Sequence, residues 1–237
     1  GGHEHENHLE KIGNTVIAKA DANARTVYHH EFIVQGADIQ VKSVLMEVNE
    51  KLSFDPEVDE VVKKWGLISK ERFASTGFYL DSIIGYTKEA LDGREISIRN
   101  QHNLLSDIIC KSSLNAAKRA VLSFHNAGSI RIDDQIKGII KQADVLKILP
   151  FGGGLSEVEM TGDLLIKILE AGEKNKGVGG FLHTGNVSNQ KGSFQVDGKA
   201  INSKAYYWAI CPSFLLTGKE INLEFFTPEN RNIRKII

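Results

Sequence analysis

The chain has 237 residues, enough for one large domain or for one and a half domains of ordinary size. Hydrophobic residues make up 41% of it and charged residues 25%, which is typical of a globular protein with a sizeable core. The formal net charge of -1 provides no general positive field to attract nucleic acid or an anionic membrane. No apolar run approaches the ~18–20 residues that a membrane span requires. These features argue against nucleic acid as a partner and against a membrane span.

The first 66 residues differ in pattern from the rest of the chain. Apolar and polar positions alternate over residues 15–48, which predicts three or four short antiparallel strands. Asp55 can cap a helix and Pro56 can occupy its first position, so we expect a helix from about residue 55 to residue 65. We expect Gly66 to end that helix.

The remaining sequence mixes helical and strand patterns without strict alternation. Helices are predicted at 103–120, 140–147 and 161–172, and strands at 121–124, 181–183, 193–196, 205–210 and 223–226. This mixture predicts an α+β fold for the larger part of the chain. Cys110 and Cys211 are too few for a disulfide scaffold and form no CxxC ligand pair, so they leave the redox compartment open.

Histidines are concentrated at the start of the chain, where Gly1 and Gly2 precede His3 and His5. Two imidazoles separated by one residue on an extended segment point to the same side and can bind a metal. The same residues can equally form an exposed histidine-rich end that binds nothing specifically. A metal site needs three or more ligands, so this segment alone does not define one.

Three later segments could bind a small molecule. Residues 126–131 place an asparagine, small residues and Arg131 after an apolar strand, which suits an anion or a polar heterocycle, or simply a turn with a surface salt bridge. Phe151 precedes three glycines and could lie at a rim and stack on a base, or pack in the core. Phe214 follows a predicted strand, and the same two interpretations apply to it.

Taken in order along the chain, these segments resemble the 5'-nucleotidase family, which includes UDP-sugar hydrolases and 2',3'-cyclic nucleotide 2'-phosphodiesterases. Asn126 to Arg131 is similar to Asn-Gly-Gly-Gly-Ile-Arg, and Leu149-Pro150-Phe151-Gly152 matches the family outright. Residues 103–107 resemble the Asn-Leu-Ile-x-Asp that opens the family's C-terminal domain, and Gly1 to His5 resembles the last metal motif of its metallophosphoesterase domain. The resemblance covers essentially the whole chain.

The resemblance implies three parts. Residues 1–50 would be the C-terminal tail of a metallophosphoesterase domain, and residues 51–66 a linker helix. Residues 67–237 would be the substrate-binding domain, with a mixed sheet. We expect nucleotide binding to survive in residues 67–237 and catalysis not to.

The family's roles can be assigned to matching positions. Phe151 and Phe214 would stack on the two faces of the base, Asn126 would hydrogen-bond it, and Arg131 would contact the phosphate or sugar. Gly128 belongs to the Asn126–Arg131 motif, and Gly152 belongs to the Leu149–Gly152 motif. Glu220 stands where the family has a ribose-binding Asp, within Gly218-Lys219-Glu220-Ile221 instead of Gly-Gly-Asp-Gly, and Ser213 replaces a common Asn. Arg99 lies closer to the 103–107 motif than the family's phosphate-binding Arg does.

The resemblance also implies cofactors, partners and a compartment. The intact protein would hold two divalent ions of the Zn, Mn or Mg type, with His3 and His5 as the last ligands. The other ligands would belong to an N-terminal catalytic domain that this sequence lacks, so we expect this chain to bind no metal stably and to be inactive alone. Its small-molecule partner would be a nucleotide or nucleoside, and its compartment periplasmic or extracellular.

Three hypotheses remain open at this stage. The first is that the chain recognises the substrate of a metal-dependent nucleotide phosphohydrolase. The second is a non-catalytic module that binds a nucleoside or a sugar nucleotide. The third treats residues 1–50 as an unpaired sheet remnant that packs on a partner chain through exposed strand edges.

Overall fold

The computed structural model describes residues 5–190 and 192–237. The chain divides into two compact units, one ending at Ser69 and the other running from Lys70 to Ile237. The unit boundary lies within a long helix, which occupies Pro56–Ser75.

The first unit contains two separate antiparallel hairpins. Their strands are β1 (His8–Ile12), β2 (Thr15–Lys19), β3 (Thr26–Gln35) and β4 (Asp38–Glu47). Gly13 and Gly36 form the two turns with φ of +58° and +63°, a conformation that glycine adopts without a steric penalty. Residues 15–48 contain three antiparallel strands, β2 to β4, which confirms that prediction, and β3 and β4 are longer than the alternation indicated. Strand β1 lies before this range and was not predicted.

The helix α1 (Pro56–Ser75) begins where the sequence predicts it. The Asp55 carboxylate accepts hydrogen bonds from the next turn's N–H groups at 3.0 and 3.1 Å, which is an N-terminal cap. The predicted end at Gly66 is wrong, because one glycine inside a helix costs only about 1 kcal/mol. The helix ends beside Gly77, which has a φ of +88° and donates its N–H to the carbonyl of Ala74.

The second unit is built around a five-stranded sheet. In chain order its elements are β5 (Ile83–Asp92), α2 (Glu95–Ile98), α3 (Leu104–Ala116), β6 (Leu122–Asn126), β7 (Gln135–Lys141), α4 (Gln142–Ile148), β8 (Leu155–Thr161), α5 (Gly162–Lys174), β9 (Leu182–Gly185), β10 (Val187–Gln190), β11 (Ser193–Val196), β12 (Lys199–Ala200), β13 (Tyr206–Pro212) and β14 (Ile233–Ile236). The sheet has the order β14-β8-β13-β6-β9, in which only β13 and β6 are parallel. Strands β10 to β12 form a small sheet, and β5 pairs with β7. The predicted α+β class with a mixed sheet is confirmed.

Two apolar clusters lie in the second unit. The larger joins the central sheet to α5, with Leu165, Met160 and Phe226 fully buried. The smaller joins α2, α3 and the antiparallel pair of strands β5 and β7 around Ile98 and Leu105. These clusters hold the strand ends, and the loops that follow them, in fixed positions.

The element predictions in this unit mostly agree with the structure. The three helices appear as α3, α4 and α5, and four of the predicted strands appear as β6, β9, β11 and β13. The strand predicted at 223–226 is wrong: Leu223 and Phe226 are both buried and are joined by a turn in which the N–H of Phe226 donates to the carbonyl of Leu223. The helix predicted at 103–120 ends earlier, at Ala116. Strands β5, β7, β8, β10, β12 and β14 and helix α2 were not predicted from the sequence.

Candidate functional site

An exposed aromatic ring follows α4. Phe151 is 70% exposed, and Gly152 and Gly153 continue the chain with φ of +60° and +88°. A side chain at either glycine would be strained in this left-handed conformation, so the turn depends on glycine. The loop thus presents one aromatic ring to solvent with no neighbouring side chain at the two following positions.

A second exposed ring lies on an adjoining loop. Ser213 begins the short 3-10 turn after β13, and its N–H and its hydroxyl both donate to the carbonyl of Gly154 at 2.9 Å. The Ser213 hydroxyl also lies 2.9 Å from that of Ser156. Phe214, the next residue, is 48% exposed. These bonds join the loop that carries Phe151 to the loop that carries Phe214, and they give Ser213 a structural role.

The end of β6 brings two more predicted residues together. The Asn126 amide donates from Nδ2 to Glu220 Oε2 at 2.7 Å, although the two residues are 94 positions apart. Asn126 is buried, and its Oδ1 has no hydrogen-bond partner within the described ranges. Glu220 therefore forms a hydrogen bond with Asn126, the residue that the resemblance predicts to contact a base.

Gly128 and Arg131 complete the turn after β6. The N–H of Gly128 donates to the carbonyl of Gly179 at 2.7 Å, and a Cβ on Gly128 would lie 3.2 Å from that oxygen. The Arg131 guanidinium carbon lies 5.8 Å from the centroid of the Phe151 ring, and the Arg131 N–H donates to the carbonyl of Ile148. Arg131 is exposed, so its charge lies beside the aromatic rim.

Arg99 is placed differently from the other predicted residues. Its guanidinium forms an ion pair with Glu95 at 2.8 Å, one turn earlier in the chain. Its carbonyl accepts a hydrogen bond from the N–H of Gly177, in the loop that also contacts Gly128. The structure therefore connects Arg99 to the site through its backbone and pairs its side chain elsewhere.

The metal ligands His3 and His5 stay a prediction. His3 lies outside the described residues, and His5 is a half-buried residue in the first unit. Within residues 5–190 and 192–237, no three or more His, Cys, Asp or Glu side chains are grouped so that they could hold a metal ion. The described part of the chain does not fit a dinuclear centre, and no catalytic step through a metal is assigned to it.

Asn175 is a residue at the site that the sequence analysis missed. It is almost fully buried, and its Nδ2 donates to the carbonyls of Gly180 at 3.1 Å and Ile221 at 2.7 Å. Its Oδ1 accepts from Asn222 Nδ2 at 2.6 Å. This side chain ties the glycine-rich loop after α5 to the segment that carries Glu220. The glycine-rich run around residues 177–180 was the signal in the sequence, but its partner segment is distant in the chain.

Buried histidines beside the site were also missed. His125 precedes Asn126, lies opposite His183 in the sheet, and has its Nε2 2.8 Å from the Ser113 hydroxyl. Burial lowers the pKa of His125 to about 4, and burial together with the neighbouring His102 lowers that of His183 to about 4. Both rings are therefore neutral near pH 7. His125 also borders a cavity of about 650 Å³ whose rim includes Phe151.

Comparison with known proteins identifies the family. The family model described as "5'-nucleotidase, C-terminal domain" matches residues 83–227, which is more than half of the chain. The chain belongs to the 5'-nucleotidase C-terminal domain family. The match contains the two aromatic loops, the Asn126–Arg131 segment and Glu220.

Relatives of this 5'-nucleotidase C-terminal domain include proteins much longer than the chain. It is 35% identical over 100 residues to the trifunctional nucleotide phosphoesterase protein YfkN of Bacillus subtilis (strain 168), covering 41% of the chain and 7% of that relative. It is 26% identical over 170 residues to a human 5'-nucleotidase, covering 66% of the chain and 28% of that relative. The chain spans less than a third of the length of these curated relatives.

Solved structures share the fold. The 5'-nucleotidase precursor from Thermus thermophilus superposes with a TM-score of 0.65 at 20% identity, over 98% of this chain and 48% of that one. The NAD nucleotidase of Haemophilus influenzae gives a TM-score of 0.53 at 19% identity, over 80% of this chain and 40% of that one. The predicted nucleotidase C-terminal fold is thus confirmed. In the described residues, no helix is both long and apolar enough to cross a membrane.

Proposed function

We propose that the chain is the nucleotide-recognition part of a metal-dependent, 5'-nucleotidase-like phosphohydrolase that releases phosphate from nucleotides. Phe151 and Phe214 would stack on opposite faces of the base. The observation that carries this proposal is the pair of exposed rings on loops joined through Gly154 and Ser213. Solvent-exposed aromatic rings on adjoining glycine-rich and turn segments are suited to stacking on a planar base.

Polar residues around the rings would fix the rest of the ligand. Asn126 would hydrogen-bond the base, and the exposed Arg131 beside Phe151 would meet the phosphate or the sugar end with a charge-assisted bond. Gly128 and Gly152 would let the backbone take the conformations that this site needs. Arg99 would reach a phosphate only by leaving Glu95, so we assign it a secondary role.

Hydrolysis would depend on residues outside this chain. In the intact protein His3 and His5 would be among the residues that hold two divalent ions, and ions of this kind would supply Lewis-acid chemistry for hydrolysis. We infer that a preceding metallophosphoesterase domain holds them, in a protein that acts in the periplasm or outside the cell. The greater length of the related nucleotide phosphoesterases supports a further domain.

A non-catalytic module that binds nucleosides or sugar nucleotides is the second candidate. The ion pair of Arg99 with Glu95 and the contact of Glu220 with Asn126 favour it, because both leave fewer groups for phosphate and ribose. Titration with adenosine, AMP and UDP-glucose separates the candidates. A nucleotidase domain should bind AMP more tightly than adenosine. A nucleoside module should bind the two equally, and a sugar-nucleotide module should bind UDP-glucose more tightly than AMP.

Substitution of Phe151 tests the stacking of the base. We expect Phe151→Ala to weaken AMP binding in calorimetric titration by about 1–3 kcal/mol, roughly five- to 150-fold. The matched control is Phe54→Ala, since Phe54 is 86% exposed and lies outside the proposed site. Equal affinities for the Phe151→Ala variant and the unchanged protein would contradict base stacking.

An assay of phosphate release tests the assignment of catalysis. The purified chain with Mn²⁺ or Zn²⁺ should release no more phosphate from AMP than a His3→Ala variant, because two histidines cannot hold two ions. Release clearly above that variant would show that the chain carries a working metal centre, and the division of roles proposed here would be wrong.

A further inference from the structure

The cavity beside Phe151 is lined mainly by apolar side chains. It has a volume of about 650 Å³ and is bordered by strands β5 and β7, by helix α3 and by the loop that follows α4. Isoleucine, leucine, valine, phenylalanine and proline supply most of its lining residues. Sites for small molecules usually have volumes of about 300–1,000 Å³ and a similar apolar lining. The cavity therefore has the size and composition of a small-molecule site.

A glycine in strand β5 leaves part of this space open. Gly85 pairs with Ile140 of β7, so a side chain at position 85 would lie on the same face as Ile140, which lines the cavity. A Cβ atom on Gly85 would meet no atom of the described residues within 4 Å, apart from its chain neighbours. The register of β5 shifts beside Gly85, but its φ lies outside the left-handed region, so the backbone does not require glycine. A glycine inside a strand often marks a position that a ligand approaches closely.

The lining of the cavity carries no ionic charge at neutral pH. Among the described residues that border it there is no Asp, Glu, Lys or Arg. Its polar members are three serines and His125, and burial lowers the pKa of His125 to about 4, so this ring is neutral at pH 7. An ion that entered these surroundings would lose its water without gaining an opposite charge, which is costly. The lining therefore favours an uncharged ligand.

Apolar side chains around the cavity remain partly exposed. Ile84, Ile108 and Leu155 are between 41% and 53% exposed, and all three line the cavity together with Phe151. Contiguous exposed apolar surface on a globular protein often marks a binding site, because covering it releases water. Since this surface encloses a cavity, a small molecule can enter it and cover apolar groups on several sides.

We propose that this cavity binds a small, uncharged, mainly apolar molecule. Its bulk would be that of about two to four aromatic rings, since an apolar cavity of about 150 Å³ holds one benzene molecule. The site differs from the proposed base site, because Phe214 and Glu220 do not line it. It shares Phe151 and Gly154 with the loop that carries one stacking ring. The inference thus goes beyond nucleotide recognition and adds a second ligand next to it.

Two related fluorescent probes test the ligand class. N-phenyl-1-naphthylamine is uncharged, and 8-anilinonaphthalene-1-sulfonate adds one sulfonate to the same rings. We expect the neutral probe to saturate one site on the chain and to bind at least about tenfold more tightly than the sulfonate. Equal affinities, or tighter binding of the sulfonate, would overturn the proposal. Neither probe is a nucleotide, so the result does not depend on the proposed function.

Gly85→Phe tests the location of the site. The added ring would occupy the cavity and should weaken binding of the neutral probe at least about tenfold. The matched control is Gly66→Phe in α1, where a Cβ also meets no atom of the described residues within 4 Å. This control should keep the affinity within about twofold. If Gly85→Phe still unfolds cooperatively in urea but binds the probe as tightly as the unchanged chain, the proposal is wrong.

A second variant keeps the test decisive if Gly85→Phe does not fold. Ile108→Asp places a charge at the partly exposed border of the cavity and should also weaken the neutral probe about tenfold, whereas Ile39→Asp in the first unit should not. Weakening by Phe214→Ala, without weakening by the cavity variants, would place the probe at the base site and overturn the proposal. A dimer of the unchanged chain that Ile108→Asp dissociates would show that a second copy covers the cavity, which also overturns it.

Discussion

The two units of the chain differ in what they do with their apolar side chains. In the described residues up to Ser69 the one buried residue is Thr26, a polar residue that bonds to Asp21, while Phe32 and Val34 on β3 are about two-thirds exposed. The second unit buries two apolar clusters, with Phe226 fully enclosed. Two-stranded hairpins are marginal by themselves, so the stability of the chain resides in the second unit.

The residues of the candidate site are also divided unequally between the two units. Every residue that we assign to base recognition lies in the second unit, on loops that its sheet and helices hold in place. The first unit contributes only the possible metal ligands His3 and His5, and His3 lies outside the described residues. The proposed recognition site thus belongs to the unit that has the buried core.

A pair of phenylalanine substitutions should show the largest effect. Phe226→Ala removes a fully buried ring and should lower the free energy of unfolding by about 3–5 kcal/mol in a urea titration. Phe32→Ala removes an exposed ring of the first unit and should change it by less than about 0.5 kcal/mol. Similar losses from the two variants would mean that both units contribute equally to stability.

Lowering the pH should have a smaller effect per residue, again confined to the second unit. The pKa values of His125 and His183 fall to about 4 on folding, whereas a histidine in an unfolded chain titrates near 6.5. Between these values the unfolded state binds more protons, so stability is complete above pH 6.5 and is lost as the pH falls toward 4.

Urea titrations at pH 7.5 and pH 5 measure this effect. We expect a loss on the order of 2 kcal/mol for each buried ring. In the His125→Leu variant this loss of stability should be smaller, because one buried histidine is removed. The Ser113 hydroxyl, which loses His125 as a partner, keeps its hydrogen bond to the carbonyl of Ile109. An unchanged pH dependence in that variant would remove His125 as a cause.

Removal of the first unit should have the smallest effect on binding. A chain of residues 67–237 keeps both apolar clusters and both aromatic loops, so its affinity for AMP should remain within about twofold of that of the full chain. Calorimetric titration of the two chains measures this. A truncated chain that melts cooperatively but binds AMP tenfold more weakly would show that residues 1–66 take part in recognition.

Local sequence signals predicted much of the second unit. Asn103 caps α3 by accepting from the N–H of Ser106, and Thr161 caps α5 in the same way, so short-range chemistry determines where both helices begin. Apolar runs indicated β6 and β13. Strand β8 was missed although Val158 and Met160 alternate with Glu157 and Glu159. The sequence did not show that both glutamates are buried, where they bond to distant backbone and to Arg234.

The candidate site, too, combines features that local sequence shows with contacts between distant segments. The sequence by itself determined the glycines around Phe151, the Asn126–Arg131 turn and the resemblance to 5'-nucleotidases, because these are contiguous motifs. Tertiary structure alone decided that Ser213 bonds to Gly154, that Asn175 bonds to the segment of Glu220, and that Glu220 accepts a hydrogen bond from Asn126. Those contacts join positions 46 to 94 residues apart, and only the packing of the sheet and its helices brings them within hydrogen-bond distance.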